Sequence, residues 1–379
     1  MKKIAILGAG LIGAPMAFDL ASTGEFDVTV VDVDPANLEK FRGNKNIKTI
    51  ERDLSKPDNV RAVVAGVDLV LSAVPGFMGF QTLKAVIEAG KNVIDIAFFP
   101  EDLFTLDELA KRNNVIAISD IGVAPGMSNI LIGHVDHKLD KVEKAIIFVG
   151  GLPKERTWPF EYKAVFSPID VIEEYTRPAR YIENGKMVTR PALSDPELIE
   201  FPGIGTLEAF NSDGLRSLAE TIDAPFMIEK TLRYIGHIDK MKVLRETGFF
   251  SKEPIEINGT MISPMDFTAK LLFPKWKLED GEEDITVMRV IVEGEKSGVG
   301  YRYVYDLFDS YERATKVHSM ARTTGYTATM ALRMVTKGMY TRKGVSAPEF
   351  IGKHPKCVDF ILKGLAERGV VYKEQITEI

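Results

Sequence analysis

The segment Gly8-Ala9-Gly10-Leu11-Ile12-Gly13 constrains this chain more than any other. It joins an apolar run, residues 3–7, to a stretch with helical spacing, residues 11–22. Three glycines so spaced between a buried strand and a helix form a turn on which a dinucleotide can sit. Gly8 permits the tight turn, Gly10 lets backbone approach a pyrophosphate, and Gly13 lets the helix pack close to the sheet. Leu11 and Ile12 complete the turn, and the helix N-terminus points free N–H groups at the phosphates. Asp32 closes the next β-branched strand, where a carboxylate binds both hydroxyls of an adenosine ribose and repels a 2′-phosphate. The pattern favours NAD over NADP; Arg42, further on, keeps the phosphorylated cofactor open.

The alternation that starts here continues. Residues 46–50, 67–73, 92–96 and 115–119 read as strands, and residues 79–89 and 106–112 as helices. Asp34 is placed to cap a further helix that begins at Pro35. Strands alternating with helices argue for a parallel sheet covered on both faces. Beyond Gly126 the pattern changes. Residues 142–149 read as a strand, residues 153–202 as a polar, proline-containing stretch with few helices, and residues 320–334 as a helix. Residues 284–294 and 300–309 read as long strands joined by a hairpin turn. The fold class is therefore α/β: an N-terminal, Rossmann-type, doubly wound parallel sheet, then a second α+β domain with a mixed, largely antiparallel sheet.

Composition removes several alternatives. The chain has 379 residues, 45% of them hydrophobic and 27% charged, with a net charge of −6. That balance excludes a largely disordered chain and gives no electrostatic reason to expect nucleic acid or an anionic membrane as partner. A single cysteine, Cys357, excludes an intramolecular disulfide and a four-cysteine zinc site. No apolar run reaches the roughly 18 residues of a membrane span. Lys2 and Lys3 before the apolar residues 4–18 imitate a signal peptide, but Asp19 follows and the glycines explain the run better. A cytoplasmic location is the expectation.

Other residues are candidates for chemistry. Asp53, after the third strand, stands where it touches an adenine or starts a helix. Ala73-Val74-Pro75 ends the fourth strand, where the rest of the cofactor should lie. Asp95 and Asp120 end the fifth and sixth strands, near the expected nicotinamide, as bases or amine ligands. His134 and His137 share a helix face with Asp136 but lack a third ligand, so no metal is expected. His237 stands beside Arg233 and Tyr234 and is a candidate proton carrier.

Several blocks carry a family resemblance. Gly122-Val123-Ala124-Pro125-Gly126-Met127-Ser128-Asn129, Phe148-Val149-Gly150-Gly151-Leu152-Pro153 and Glu173-Glu174-Tyr175-Thr176-Arg177-Pro178 are three of them. Leu207-Glu208-Ala209-Phe210, Ser212-Asp213-Gly214-Leu215-Arg216-Ser217, Thr231-Leu232-Arg233-Tyr234-Ile235-Gly236-His237 and Met320-Ala321-Arg322-Thr323-Thr324-Gly325 are the others. With the glycine turn, they resemble the saccharopine dehydrogenase superfamily over essentially the whole chain, and within it the lysine 6-dehydrogenase branch. The saccharopine-forming reductases typically carry an aspartate where this chain has Ala124, and an Asn-Arg-Asp-Ser block where it reads Asn211-Ser212-Asp213-Gly214. Both departures point to the lysine branch.

The resemblance implies NAD-dependent oxidative deamination of the terminal amine of L-lysine, as in lysine degradation. The product is 2-aminoadipate 6-semialdehyde, which cyclises to a piperideine carboxylate, and ammonia is released. Under that reading Asp120, then Asp95, is the base, and His237 a proton shuttle. Arg216 or Arg233 holds the substrate carboxylate, and Tyr162, Glu208 and Tyr234 line the pocket. Gly122 and Val123, in the link between domains, border the cofactor. The implied domains are residues 1–125 for the cofactor and 126–324 for catalysis and oligomerisation, with residues 325–379 packing back on the first. Two alternatives stand: a saccharopine dehydrogenase or related carboxylate–amine condensing reductase, and a non-catalytic NAD-binding regulator. The only partners expected besides the amino-acid substrate are further copies of the chain in a homodimer or higher homo-oligomer, through the exposed edge of the 284–309 hairpin.

Overall fold

The computed structural model describes residues 1–279 and 281–379. They form two compact units, Met1–Lys138 with Ala321–Val371, and Leu139–Met320 with Tyr372–Ile379.

In the first unit the strands are β1 (Lys2–Leu7), β2 (Phe26–Asp32), β3 (Ile47–Glu51), β4 (Leu69–Ser72), β5 (Asn92–Asp95) and β6 (Ile116–Ile118). Their order is β3-β2-β1-β4-β5-β6, with Gly344–Ser346 added beside β6, and every pairing is parallel. Ile4–Leu7 and the whole of β4 are buried on both faces, as a parallel sheet covered by helices requires. The first helix runs over Gly13–Ser22, two residues later than its apolar spacing suggests, because Leu11 and Ile12 belong to the turn. Asp34 caps the helix Pro35–Glu39 by accepting the Ala36 N–H at 2.9 Å. A helix at Pro57–Val64 escaped the sequence reading; Pro57 starts it at the position where a missing N–H costs nothing.

The break expected after Pro125 falls after Lys138. The helix Met127–Lys138 packs backbone to backbone on Pro348–Gly352: a β-carbon on Gly133 would overlap the Glu349 carbonyl, and one on Gly352 the Ile130 carbonyl. Paired glycines thus hold this helix in the first unit.

In the second unit the strands are β7 (Lys141–Pro153), β8 (Ala179–Glu183), β9 (Lys186–Arg190), β10 (Glu197–Phe201), β11 (Gly205–Asn211), β12 (Phe226–Arg233), β13 (Ile255–Ile257), β14 (Thr260–Ile262), β15 (Asp284–Lys296) and β16 (Val299–Ser310). The main sheet runs β10-β11-β12-β7-β15-β16 and ends on Tyr372–Glu378. Only the β12–β7 pairing is parallel. β7 continues past its expected end at Val149 because Gly150 and Gly151 leave room for Leu232, Val165 and Met320. The β15–β16 turn is Ser297-Gly298, both with positive φ, as the right-handed strand twist favours.

Two expectations are corrected together. The outer edge of β16, read as open for subunit pairing, is covered by Tyr372–Glu378, and those residues, read as part of the first domain, belong to the second unit. Within residues 153–202 the structure has one helix, Pro168–Thr176.

Candidate active site

The glycine turn is built tightly. Gly8 has φ +100°, and a β-carbon on it would press on the Ala73 carbonyl. A β-carbon on Gly13 would overlap the Gly8 carbonyl, so the third glycine closes the turn on itself rather than merely seating the helix on the sheet. Gly10 faces open space, and Leu11 beside it is exposed. The ten-residue helix Gly13–Ser22 therefore presents its first N–H groups over an unobstructed backbone. Ala73 is fixed by its N–H to the Leu7 carbonyl at 2.8 Å, Val74 is buried, and Pro75 precedes the helix Gly76–Glu88. The Asp32 carboxylate accepts the Ala9 N–H at 2.7 Å and the Asp34 N–H at 2.8 Å. These bonds aim the carboxylate across the turn and leave each oxygen a lone pair for a ribose hydroxyl. The cradle fits a dinucleotide.

Asp53 is spent otherwise. It accepts the Ser55 N–H at 2.9 Å and hydroxyl at 2.6 Å, bonds that hold its pKa below the usual value. It thus organises the turn into the helix Pro57–Val64. Gly122 and Val123 lie in a loop closed on itself: the Gly122 N–H donates to Pro125, and the Gly122 and Val123 carbonyls accept from Met127 and Ser128.

At the carboxyl edge of the same sheet two acids meet. Asp95 is fully buried and accepts the Ser119 hydroxyl at 3.1 Å. Burial pushes its pKa up to about 7, and the neighbouring Asp120 adds repulsion. Asp120, also buried, has φ +58°, a left-handed backbone that aspartate adopts more readily than most residues.

The second unit gathers Arg233, His237 and Tyr162 in one aromatic cluster with Tyr175, Phe210 and Trp276. Arg233 donates to the Tyr175 hydroxyl at 3.0 Å, the Leu232 carbonyl at 2.9 Å and the Glu174 carboxylate at 2.5 Å, and stacks on the Tyr162 ring at 4.5 Å. Burial opposes its charge; Tyr175, Tyr162 and Glu174 more than offset that and hold its pKa above the ordinary value. His237 Nδ1 donates to the Phe160 carbonyl at 2.8 Å, which leaves Nε2 to accept from the Tyr175 hydroxyl at 3.0 Å. Burial, then Arg233, lowers its pKa to about 3. Burial thus disfavours the charged imidazole and weighs against the shuttle role read from its unperturbed pKa. The other two pocket candidates also have structural work. Glu208 accepts the Gly236 N–H at 3.2 Å, and the Tyr234 hydroxyl donates to the Pro153 carbonyl at 2.9 Å.

Arg216 lies in a different group. It is buried with φ +53°, and it faces Arg177, whose pKa is lowered by burial and then by Arg216. Asp213, beside them, takes both ends of the Arg180 guanidinium at 2.8 and 3.0 Å. Behind it Glu229 is buried; its carboxyl accepts the Ser212 hydroxyl at 2.6 Å and the Gly214 N–H at 3.1 Å. Burial pushes Glu229 up to about 8. Glu174, Tyr175, Arg177 and Glu229 had no assigned role in the sequence reading. The first three stand in a quoted block, and an ionisable residue inside the strand Phe226–Arg233 was the available signal for the fourth. Among the described residues no group of three or more His, Cys, Asp or Glu could hold a metal ion, and no helix is long and apolar enough to cross a membrane.

Two family domains match along the chain. Residues 4–118 match the saccharopine dehydrogenase NADP binding domain, and residues 122–370 the saccharopine dehydrogenase C-terminal domain. The chain is 23% identical to saccharopine dehydrogenase [NADP(+), L-glutamate-forming] of Schizosaccharomyces pombe, with 100% of both chains covered. It is 24% identical to carboxyaminopropylagmatine dehydrogenase of Synechocystis sp., over 99% of this chain and 98% of that one. It is 25% identical to the mitochondrial alpha-aminoadipic semialdehyde synthase of Bos taurus over 66% of this chain, and spans only 29% of that relative's length. Apo saccharopine dehydrogenase (L-Glu forming) from Saccharomyces cerevisiae has the same fold, with TM-score 0.81, 20% identity and both chains fully covered.

Proposed function

The chain belongs to the saccharopine dehydrogenase family of nicotinamide-dependent oxidoreductases acting on amino-acid and amine substrates, and from that premise we propose that it oxidatively deaminates the terminal amine of L-lysine. The observation that carries the reading is the buried acid pair, Asp95 and Asp120, at the ends of β5 and β6. An amine substrate arrives as an ammonium of pKa about 10.4 and must lose a proton before its carbon can be oxidised. Asp120 accepts that proton. A bound nicotinamide dinucleotide supplies the hydride acceptor. Asp120 releases that proton to solvent, takes another from the water that adds to the resulting iminium carbon, and passes it to the carbinolamine nitrogen, so that the C–N bond breaks, ammonia leaves and the aldehyde C=O forms. Asp95, buried behind it, is not the acceptor.

We assign the substrate carboxylate to Arg216 and Arg177 rather than to Arg233. Two facing guanidinium groups repel each other, and a bidentate anion relieves the repulsion. Arg233 is held by Glu174 at 2.5 Å inside the aromatic cluster, a shorter ion pair than the 3.7 Å one that Arg177 makes with Glu173. Ala124 and Gly214 support lysine over saccharopine, because they stand where the saccharopine-forming members typically carry acidic and polar groups.

For the cofactor we propose NAD, on the Asp32 carboxylate; the name of the matching domain and of the fungal relatives supports NADP instead. Those relatives' names also favour a second reading, oxidation of a secondary amine such as saccharopine. One assay separates the readings. Purified protein is given NAD or NADP with L-lysine, L-ornithine or saccharopine, and reduced cofactor and ammonia are measured together. Reduced cofactor and ammonia in equal amounts from lysine are expected. Silence with lysine and turnover with saccharopine would transfer the protein to the second reading.

A further inference from the structure

Leu7, Ser72 and Asp95 lie side by side at the ends of β1, β4 and β5. The glycine turn begins at the residue after Leu7, so Asp95 stands two strands away, about 10 Å at the usual strand spacing. A dinucleotide on a doubly wound sheet crosses this edge from the glycine turn outward. Its nicotinamide end therefore reaches the strand ends that carry Ser72 and Asp95.

Asp95 is an unusual group to find there. It is fully buried, and the Ser72 hydroxyl from β4 faces its carboxyl, while Oδ1 has no partner in well-formed hydrogen-bond geometry. Ser119 from β6 donates to Oδ2, and the Ala97 amide of its own loop also faces it. The charged group that faces it is Asp120, from the end of β6. The helix Gly76–Glu88 turns Gly79 towards Ala97 and Phe99. On the strand Gly344–Ser346, Ser346 Oγ accepts from the Tyr340 hydroxyl and the Arg342 guanidinium. Among the described residues no lysine, arginine or histidine pairs with Asp95. A buried carboxylate without a cation is expensive, and proteins normally supply the cation themselves.

We infer that Asp95 is the counter-charge for the oxidised nicotinamide ring, a positioning residue that makes the site favour the cationic form of the cofactor over the neutral reduced form. The inference rests on the dinucleotide reading of the glycine turn, and not on lysine as substrate. It has a thermodynamic signature. A cation that binds beside Asp95 favours its ionised form, so by linkage the oxidised cofactor binds more tightly as pH rises through the Asp95 transition, near 7. The neutral reduced ring gains nothing from that ionisation.

The test is the ratio of dissociation constants for reduced and oxidised dinucleotide, measured on the full chain without substrate from pH 5.5 to 8.5. Groups on the adenosine half cancel in the ratio. The wild-type ratio should rise about tenfold across pH 7 in favour of the oxidised form, the effect of a one-unit pKa displacement. Asp95→Asn should abolish the step. Ser119→Ala, which keeps the carboxyl but removes a donor to its ionised form, should move the step to higher pH. Asp120→Asn should retain it at lower pH, because a like charge is gone. A wild-type ratio flat with pH, or a step that survives in Asp95→Asn, would overturn the inference. Should Asp95→Asn fail to fold, the wild-type ratio and the Ser119→Ala displacement decide alone. Failure of both cofactor forms to bind would remove the dinucleotide reading as well, a result distinct from a flat ratio.

Discussion

Arg233 and Asp95 are both ionisable and both buried, yet their surroundings treat them differently. Arg233 has a carboxylate, a phenol, a carbonyl and an aromatic face, all from its own unit. Asp95 has two hydroxyls, one amide and a second acid, and, among the described residues, no cation. The first charge is complete without a ligand; the second is not. A compensated buried charge reads as architecture, and an uncompensated one as a place where a ligand must supply the missing sign. By that criterion the chemistry of this chain belongs to the edge of the parallel sheet. Arg233 and His237, which attract attention in the sequence, pack with Tyr175 in the aromatic cluster of the second unit.

Substitutions can break or sharpen that comparison. The largest effect is expected in the parallel sheet. Gly13→Ala places a methyl into the Gly8 carbonyl, so the turn must open, and titration with the dinucleotide should show no binding at concentrations that saturate wild type. Next comes the aromatic cluster. Arg233→Met leaves Glu174 and the Tyr175 hydroxyl without their partner and should cost about 3–5 kcal/mol in chemical denaturation. Dinucleotide affinity should be unchanged there, and a stable variant that had lost affinity would reverse the roles given to the two regions.

The smallest effect concerns Glu229. Burial raises its folded pKa to about 8, so between about 4.5 and 8 the folded state holds a proton that the unfolded state has lost. Stability linked to this group is present at low pH and declines as pH rises through that window. Glu229→Gln removes the decline, so its denaturation midpoint relative to wild type should rise from pH 5 to pH 8.5. Parallel pH dependence in the two proteins would show that Glu229 ionises normally.

The two regions were also unequally legible in the sequence. β2 carries the bounds its β-branched run suggests, Phe26–Asp32, because buried Phe26, Val28 and Val30 alternate with half-buried Asp27 and Thr29 at the strand period. The glycine turn was visible for the same reason: local geometry demands local residues. The aromatic cluster was not. Arg233 and Glu174 are 59 positions apart, and nothing at either position announces the other. Glu229 was missed because every residue of β12 after Phe226 is buried, so no alternation marks an inward face. His237 was recognised as interesting, but the lowering of its pKa depends on burial and on Arg233, which only the fold brings together. The edge of β16 looked free because its cover, Tyr372–Glu378, comes from the far end of the chain.

Proton transfer is thus assigned to Asp120, and the aromatic cluster to scaffolding. The most direct measurement is steady-state turnover of Asp120→Asn with its preferred amine, taken with the dinucleotide dissociation constant on the same preparation. Turnover should fall by about 10²–10⁴-fold, the usual contribution of a positioned base, while the dissociation constant stays close to that of wild type. Near-normal turnover in a folded, cofactor-binding Asp120→Asn protein would contradict the claim and move the base elsewhere.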